Sequence, residues 1–242
     1  MKELDNKTIK LIKSLKMAKY RKETGLYVVE GKRIVEEAIK YGKPEYIVCS
    51  KDFAETDKSF KNAFVLENKV FNSLCDTKTP QGVLAVMKMH NDNAKINQGV
   101  VVALENVQDP LNVGTIIRTA DAFGASAVVL SKGCADIYSP KAARGTMGSL
   151  FHLPIIKADD FTNRLKAFKE NGFCLVAGDL NGSEKAPLKC DKCVIIIGNE
   201  GGGISLETKR MCDFLWKIKM QGKAESLNAS VAAGIMLYTL AN

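Results

Sequence analysis

The feature that most constrains this chain lies in its last 140 or so residues, where short β-rich apolar runs alternate with helical stretches. VVALE (101–105), AVVLS (127–131), FCLVAG (173–178), CVIIIG (193–198) and LWKIKM (215–220) are separated by helical patterns over 113–123, around 161–170 and over 227–240. Apolar runs that do not alternate with polar residues suit strands buried on both faces. The alternation with helices predicts an α/β fold with a mostly parallel sheet covered on both sides.

The first 90 residues read as a smaller mixed α/β unit. Over 4–18, Ile9, Ile12, Leu15 and Ala18 form one stripe of a helix while Lys7, Lys10, Lys13 and Lys16 form another, a basic amphipathic pattern. An extended LYVVE (26–30), a helix over 33–41, strands at 46–49, 63–66 and 83–87 and a helix near 68–76 follow. The polar HNDNAKINQ (90–98) lacks an apolar period, so 91–98 is the expected linker between a domain at 1–90 and one at 99–242.

The charge balance points to an anionic partner. Thirty-five Lys and Arg against 27 Asp and Glu leave +8, and residues 1–90 hold 18 basic and 12 acidic side chains, so most of the excess lies in the smaller unit. A well-solvated lysine-rich surface has the same composition. No apolar run reaches the roughly 18–20 residues of a membrane span, and MKELDNKTIK lacks the apolar core of a signal peptide, so a cytoplasmic protein is expected. The seven cysteines are an odd number without a secreted framework's spacing. The lone CxxC of Cys190 and Cys193 and the two histidines, His90 and His152, cannot assemble four local zinc ligands, so no metal is expected. His152 reads as structural.

Parallel sheets bind ligands beyond the carboxyl ends of their strands, and three loops there are unusual. The first, ENVQDPLNVGTIIRTADAFGA, has a turn at Asp109-Pro110, an N-cap candidate in Asn112, and Arg118 off the buried stripe of Val113, Ile116, Ile117, Ala120 and Phe123. Taken alone, Arg118 is equally a surface arginine. The second, GNEGGGIS from Gly198, sets Glu200 among glycines that permit close backbone approach, or simply a tight turn. It is neither a phosphate-binding GK[ST] loop nor a GxGxxG fingerprint. The third, QGKAESLNASVAAG, offers Ser226 or Asn228 as a cap of the last helix.

Together, DPLNVGTIIRTADAFGA, IIIGNEGGGIS and KMQGKAESLNASVAAG, in this order and each after a strand, resemble the three motifs of the SpoU (TrmH) family of RNA ribose methyltransferases in the SPOUT superfamily. SPKAARGTMGSLFHLP (139–154) resembles that family's intermediate segment. RKETGLYVVEGKRIVEEAI and TKTPQGVLAV are similar to the ribosomal-protein-like substrate-binding domain that many members carry.

The resemblance implies a C-terminal α/β trefoil knot that binds S-adenosylmethionine, a homodimer, and methyl transfer to a ribose 2′-hydroxyl of RNA, ribosomal RNA ahead of transfer RNA and 23S ahead of 16S. Carried onto this sequence, the cofactor pocket falls to Gly198, Ile218, Met220, Leu227 and Asn228, with the loop after FCLVAG closing over the adenosine. The catalytic set falls to Asn112, Arg118, Glu200, Ser226 and Asn228. RNA capture is expected of Lys7, Lys10, Lys13, Arg21, Lys22, Lys32, Arg33 and Arg144. The competing readings are a catalytically silent RNA-binding or ribosome-assembly protein, a transfer-RNA 2′-O-methyltransferase, and a SPOUT relative that methylates a base nitrogen.

Overall fold

The computed structural model describes residues 4–90 and 94–241; residues 91–93 of the expected linker lie outside the described residues, and 94–98 form no helix or strand. By contact the chain divides into two units. One holds the residues up to His90 together with Asp136–Phe151, the other those up to Ala135 together with His152 onward.

The first unit runs α1 (Asn6–Ser14), α2 (Ala18–Thr24), β1 (Leu26–Glu30), α3 (Lys32–Tyr41), β2 (Tyr46–Ser50), α4 (Lys51–Thr56), β3 (Phe64–Leu66), α5 (Asn68–Leu74) and β4 (Val83–Lys88). Its sheet has the order β1-β4-β2-β3, with only β2 and β3 parallel. Ile12 and Leu15 reach its core beside Val48, Phe71, Leu74, Leu84 and Val86. The helix predicted over 4–18 stops at Ser14 and a second one begins at Ala18. The break is satisfied from below: the Arg21 guanidinium, 3% exposed, donates through Nη1 to the carbonyls of Leu15 (2.9 Å) and Lys16 (2.8 Å).

The second unit opens with β5 (Gly99–Leu104), α6 (Pro110–Ala122) and β6 (Ala127–Leu130). The chain then enters the first unit through Asp136–Phe151, which contains α7 (Pro140–Gly145). It resumes with β7 (Ile155–Lys157), α8 (Phe161–Glu170), β8 (Cys174–Ser183), β9 (Lys192–Ile197), α9 (Leu206–Met211), β10 (Phe214–Trp216) and α10 (Ala229–Ala241). All six strands are parallel in the order β10-β8-β9-β5-β6-β7. Val101, Ala103, Val129, Leu175, Val194 and Ile196 fill one side of it with Leu165 and Phe168 of α8. On the other side α10 packs on β9 and α6.

Two features depart from the sequence reading. Residues 136–151, read as part of the C-terminal domain, pack in the first unit: Ile137, Tyr138, Ala142 and Ala143 are buried, Tyr138 stacks on Tyr27 with centroids 4.6 Å apart, and Asp136 pairs with Arg21 at 2.7 Å. The strand read over 215–220 is only Phe214–Trp216; Lys217 N still bonds Ser183 O of β8, and after it the backbone pairs with no strand among the described residues.

Candidate functional site at the carboxyl ends of the parallel strands

The loops after β5 and β9 meet because those strands are parallel neighbours, and the loop after β10, beyond β8 in the same parallel sheet, opens at the same edge. After β5 the chain turns at Asn106, whose φ is +57°, and enters α6 through Asp109. Asp109 is the N-cap: its carboxylate accepts from Leu111 N at 2.9 Å, with Pro110 in the first turn where no N–H is needed. Asn112 is therefore not the cap. It sits inside the first turn, 7% exposed, and its side chain is free to work between loops.

After β9, Asn199 organises the glycine run. Its Oδ1 accepts from the amides of Gly201 and Gly202 at 2.9 Å, its Nδ2 donates to Asn106 O at 2.9 Å, and its backbone exchanges two hydrogen bonds with Gly203. Gly203 takes φ +64°, and a Cβ on Gly198 would lie 2.2 Å from the Gly203 carbonyl carbon and 2.5 Å from Ile204 N. No side chain fits at Gly198, because all the obstructing atoms are backbone. This loop aims Glu200 at the start of α6, where its carboxylate accepts from Gln108 N (3.3 Å), Asp109 N (3.2 Å) and Asn112 Nδ2 (3.0 Å). Burial pushes the Glu200 carboxyl pKa up, but these hydrogen bonds to the charged form outweigh it and hold the group below its usual range.

The relay continues. Asn112 Oδ1 accepts from Asn228 Nδ2 at 3.0 Å, and Asn228 Oδ1 in turn caps α10, accepting from Ser230 N (2.8 Å), Ser230 Oγ (2.6 Å) and Val231 N (3.4 Å). Each amide in the chain has one orientation that satisfies both neighbours, so Glu200, Asn112 and Asn228 tie the three loops together. Arg118 and Ser226 stay outside this network. Both are exposed and make no side-chain hydrogen bond or ion pair among the described residues. One turn beyond Arg118, Asp121 pairs with His152 Nδ1 at 2.7 Å.

The segment after β10 has an unusual backbone. Among the described residues, the amides and carbonyls from 218 to 227 make no hydrogen bond with other backbone groups, while Ile218, Met220 and Leu227 are half-buried. Peptide groups without a backbone partner are available to water or to a bound molecule. That fits a ligand held mainly by backbone atoms.

The basic residues expected to meet RNA divide. Lys7, Lys10, Lys13, Lys22 and Arg33 are exposed. Lys32 is exposed but paired with Asp57 at 2.7 Å, which raises its pKa, and Arg144 is half-buried with Asp76 at 3.5 Å. Arg21 does not belong to the set: it is buried, paired with Asp136 and bonded to two carbonyls. Lys16, in the same stripe by sequence, donates to the carbonyls of Ser73 (3.0 Å) and Cys75 (2.5 Å). Sequence reasoning missed Asp109 and Asn199; an Asp-Pro ahead of the helix and an Asn ahead of three glycines were the available signals.

The seven cysteines are free thiols, Cys193 pushed up to about 12 by burial and by Cys174 and Cys190 nearby. Among the described residues no group of three or more His, Cys, Asp or Glu could hold a metal ion, and no helix is long and apolar enough to cross a membrane.

Comparison with known proteins identifies the family. The model of the SpoU rRNA Methylase family matches residues 99–238, and that of the MRM3-like substrate binding domain matches 6–85. The chain is 33% identical over 251 residues, 99% of both chains, to the 23S rRNA (guanosine(2553)-2′-O)-methyltransferase RlmP of Bacillus subtilis. A putative RNA methyltransferase of the TrmH family from Porphyromonas gingivalis superposes with a TM-score of 0.87 at 30% identity, covering 98% of each chain. An AdoMet-bound rRNA methyltransferase from Sinorhizobium meliloti gives 0.85 at 32% identity, covering 99% of this chain and 95% of that one. With its three motif loops joined through Asn112, Glu200 and Asn228, this chain belongs to the SpoU rRNA methylase family.

Proposed function

We propose that this protein transfers the methyl group of S-adenosylmethionine to a ribose 2′-hydroxyl of RNA, ribosomal RNA ahead of transfer RNA and 23S ahead of 16S. The observation that carries the reading is the relay from Glu200 through Asn112 to Asn228, beside a segment, 218–227, whose peptide groups have no backbone partner among the described residues. Relatives named as a 23S rRNA 2′-O-methyltransferase and an AdoMet-bound rRNA methyltransferase support the substrate and the cofactor.

S-adenosylmethionine supplies an electrophilic methyl group on a sulfonium, carried to this site in the family's trefoil knot. The peptide groups of Ile218, Met220 and Leu227, the backbone of Gly198 packed against Gly203 and the fixed Asn228 would hold it. Catalysis then rests on holding the 2′-oxygen in line with the methyl carbon, so that one bond forms as the other breaks. Arg118 stays protonated and is a poor base. Its role is to grip the RNA phosphate and ribose, and the hydroxyl proton leaves with assistance from that phosphate. Ser226, exposed on the third loop, contributes a hydroxyl that orients the substrate.

A homodimer completes the site. Leu111 on α6 and Val231, Ile235 and Tyr238 on α10 are large exposed apolar residues on two helices that pack together, and Arg118 lies on the same helix as Leu111. RNA capture falls to the unit that includes residues 1–90, through Lys7, Lys10, Lys13, Lys22, Lys32 and Arg33, with Arg144 of the inserted segment; such contacts position RNA and leave sequence unread. A ribosomal substrate sets the place of action in the cytoplasm.

The test is methyl transfer from labelled S-adenosylmethionine to deproteinised RNA and to intact ribosomal subunits, followed by nucleoside analysis. A labelled 2′-O-methylnucleoside is the expected product. A labelled base would overturn the acceptor, and cofactor binding without transfer to any preparation would favour the silent RNA-binding reading.

A further inference from the structure

Between its two contacts with β10, β8 advances six residues while β10 advances one: Ala177 faces Leu215, and Ser183 faces Trp216. Residues 178–182 therefore leave the ladder at the carboxyl end of β8. That strand lies between β10 and β9, whose own carboxyl ends lead into the 217–228 segment and the 198–203 loop. The excursion is thus the middle wall of the proposed cofactor site.

Both of its limbs are held. On the returning side, a Cβ on Gly182 would lie 2.4 Å from Leu215 O, so the two backbones touch, and Ser183 O accepts from Lys217 N at 2.8 Å. On the outgoing side the anchor is ionic. The Asp179 carboxylate, with a side chain 6% exposed, takes Lys209 Nζ at 2.6 Å on one oxygen and Asn181 N at 2.8 Å on the other. Lys209 stands on α9, and the residue before that helix is fixed to the sheet, Ser205 N donating to the buried Glu105 at 3.1 Å. Leu180, between the two anchored positions, is exposed.

Asp179 has its charge balanced by Lys209 and one oxygen bonded within the loop itself, an arrangement that ties the loop to α9. We propose that Asp179 and Lys209 are positioning residues that keep residues 178–182 in the conformation that walls the cofactor pocket. The proposal rests on the reading above that S-adenosylmethionine binds at these strand ends. If the unclamped loop takes the walling conformation about one tenth of the time, apparent cofactor affinity falls about tenfold, and a saturated enzyme turns over normally.

The experiment compares wild type, Lys209→Met, Lys209→Arg and the double variant Asp179→Asn with Lys209→Met. S-adenosylmethionine binding is measured by calorimetry, KM and kcat by methyl transfer to RNA, and melting temperature in parallel. The single Lys209→Met leaves a buried carboxylate without its cation and is expected to lose stability; the double variant removes both charges and keeps the fold. The double variant is expected to raise cofactor Kd and KM about tenfold with kcat within about twofold of wild type. Lys209→Arg is expected to recover most of the affinity. A double variant that binds cofactor as wild type does, whatever its melting temperature, would reduce the pair to a structural contact and overturn the proposal. Wild-type protein that binds no S-adenosylmethionine would overturn the cofactor reading itself, and the clamp with it.

Discussion

Replacing Asn112 by Asp changes one nitrogen to oxygen and reverses the polarity of the link to Glu200. In the wild type Nδ2 of Asn112 donates to Glu200 Oε1 at 3.0 Å. In the variant two carboxylates meet there, and at a charge separation of about 4 Å and an effective dielectric of about 20 their repulsion is about 4 kcal/mol. Taking up a proton is the alternative. For a carboxyl with an ordinary pKa near 4.3, that costs about 3.7 kcal/mol at pH 7. The lesser sets the loss, so the variant is expected to be about 3–4 kcal/mol less stable at pH 7, lowering Tm by roughly 6–16 °C for a chain of this size.

The sign of the pH dependence follows from that proton. The folded variant binds one proton more than its unfolded chain near neutrality, so its deficit shrinks as pH falls, by about 1.4 kcal/mol per unit, to about 1 kcal/mol at pH 5. Wild-type Glu200 behaves oppositely. Its lowered pKa contributes stability above the unfolded value near 4.5 that is lost only as pH falls through the folded one, below the range of the comparison. Urea unfolding of both proteins from pH 5 to 8 reads the difference directly, with Asn112→Ala as a variant that lacks the slope. A gap that is constant across that range, or smaller than about 1 kcal/mol at pH 7, would refute the relay as the reason for this residue.

Four further outcomes are expected. Arg118→Ala should abolish methyl transfer and leave calorimetric cofactor binding intact, since Arg118 is exposed and makes no contact in the relay; unchanged turnover would remove it from the mechanism. Changing Lys7, Lys10 and Lys13 together to Ala should weaken RNA binding and reduce the slope of log affinity against log salt by about 2–3, whereas Arg21→Ala should cost about 3 kcal/mol of stability by stranding Asp136; urea unfolding beside filter binding separates the two. Gly198→Ala drives a Cβ to within 2.2 Å of backbone carbon, and about 3 kcal/mol of strain with loss of S-adenosylmethionine binding is expected.

By itself the sequence determined the features whose cause is local. The runs at 101–104, 127–130 and 193–197 are apolar without alternation, and only a strand covered on both faces tolerates that, so the parallel sheet was legible. A cap of the last helix at Ser226 or Asn228 was legible too, because a cap needs only its own next residues, and the structure gives it to Asn228. What the tertiary structure decided are the choices between locally equivalent residues. Asp109 and Asn112 are both acceptable caps, and the assignment goes to Asp109 because Asn112 has partners 88 and 116 residues away in Glu200 and Asn228. Lys7 and Arg21 are both cations in a basic stretch, and Arg21 is buried because Asp136, 115 residues on, supplies its counter-charge. Side-chain periodicity and cap chemistry act over one or two turns of chain, whereas burying a polar group requires a partner that only the folded topology can deliver.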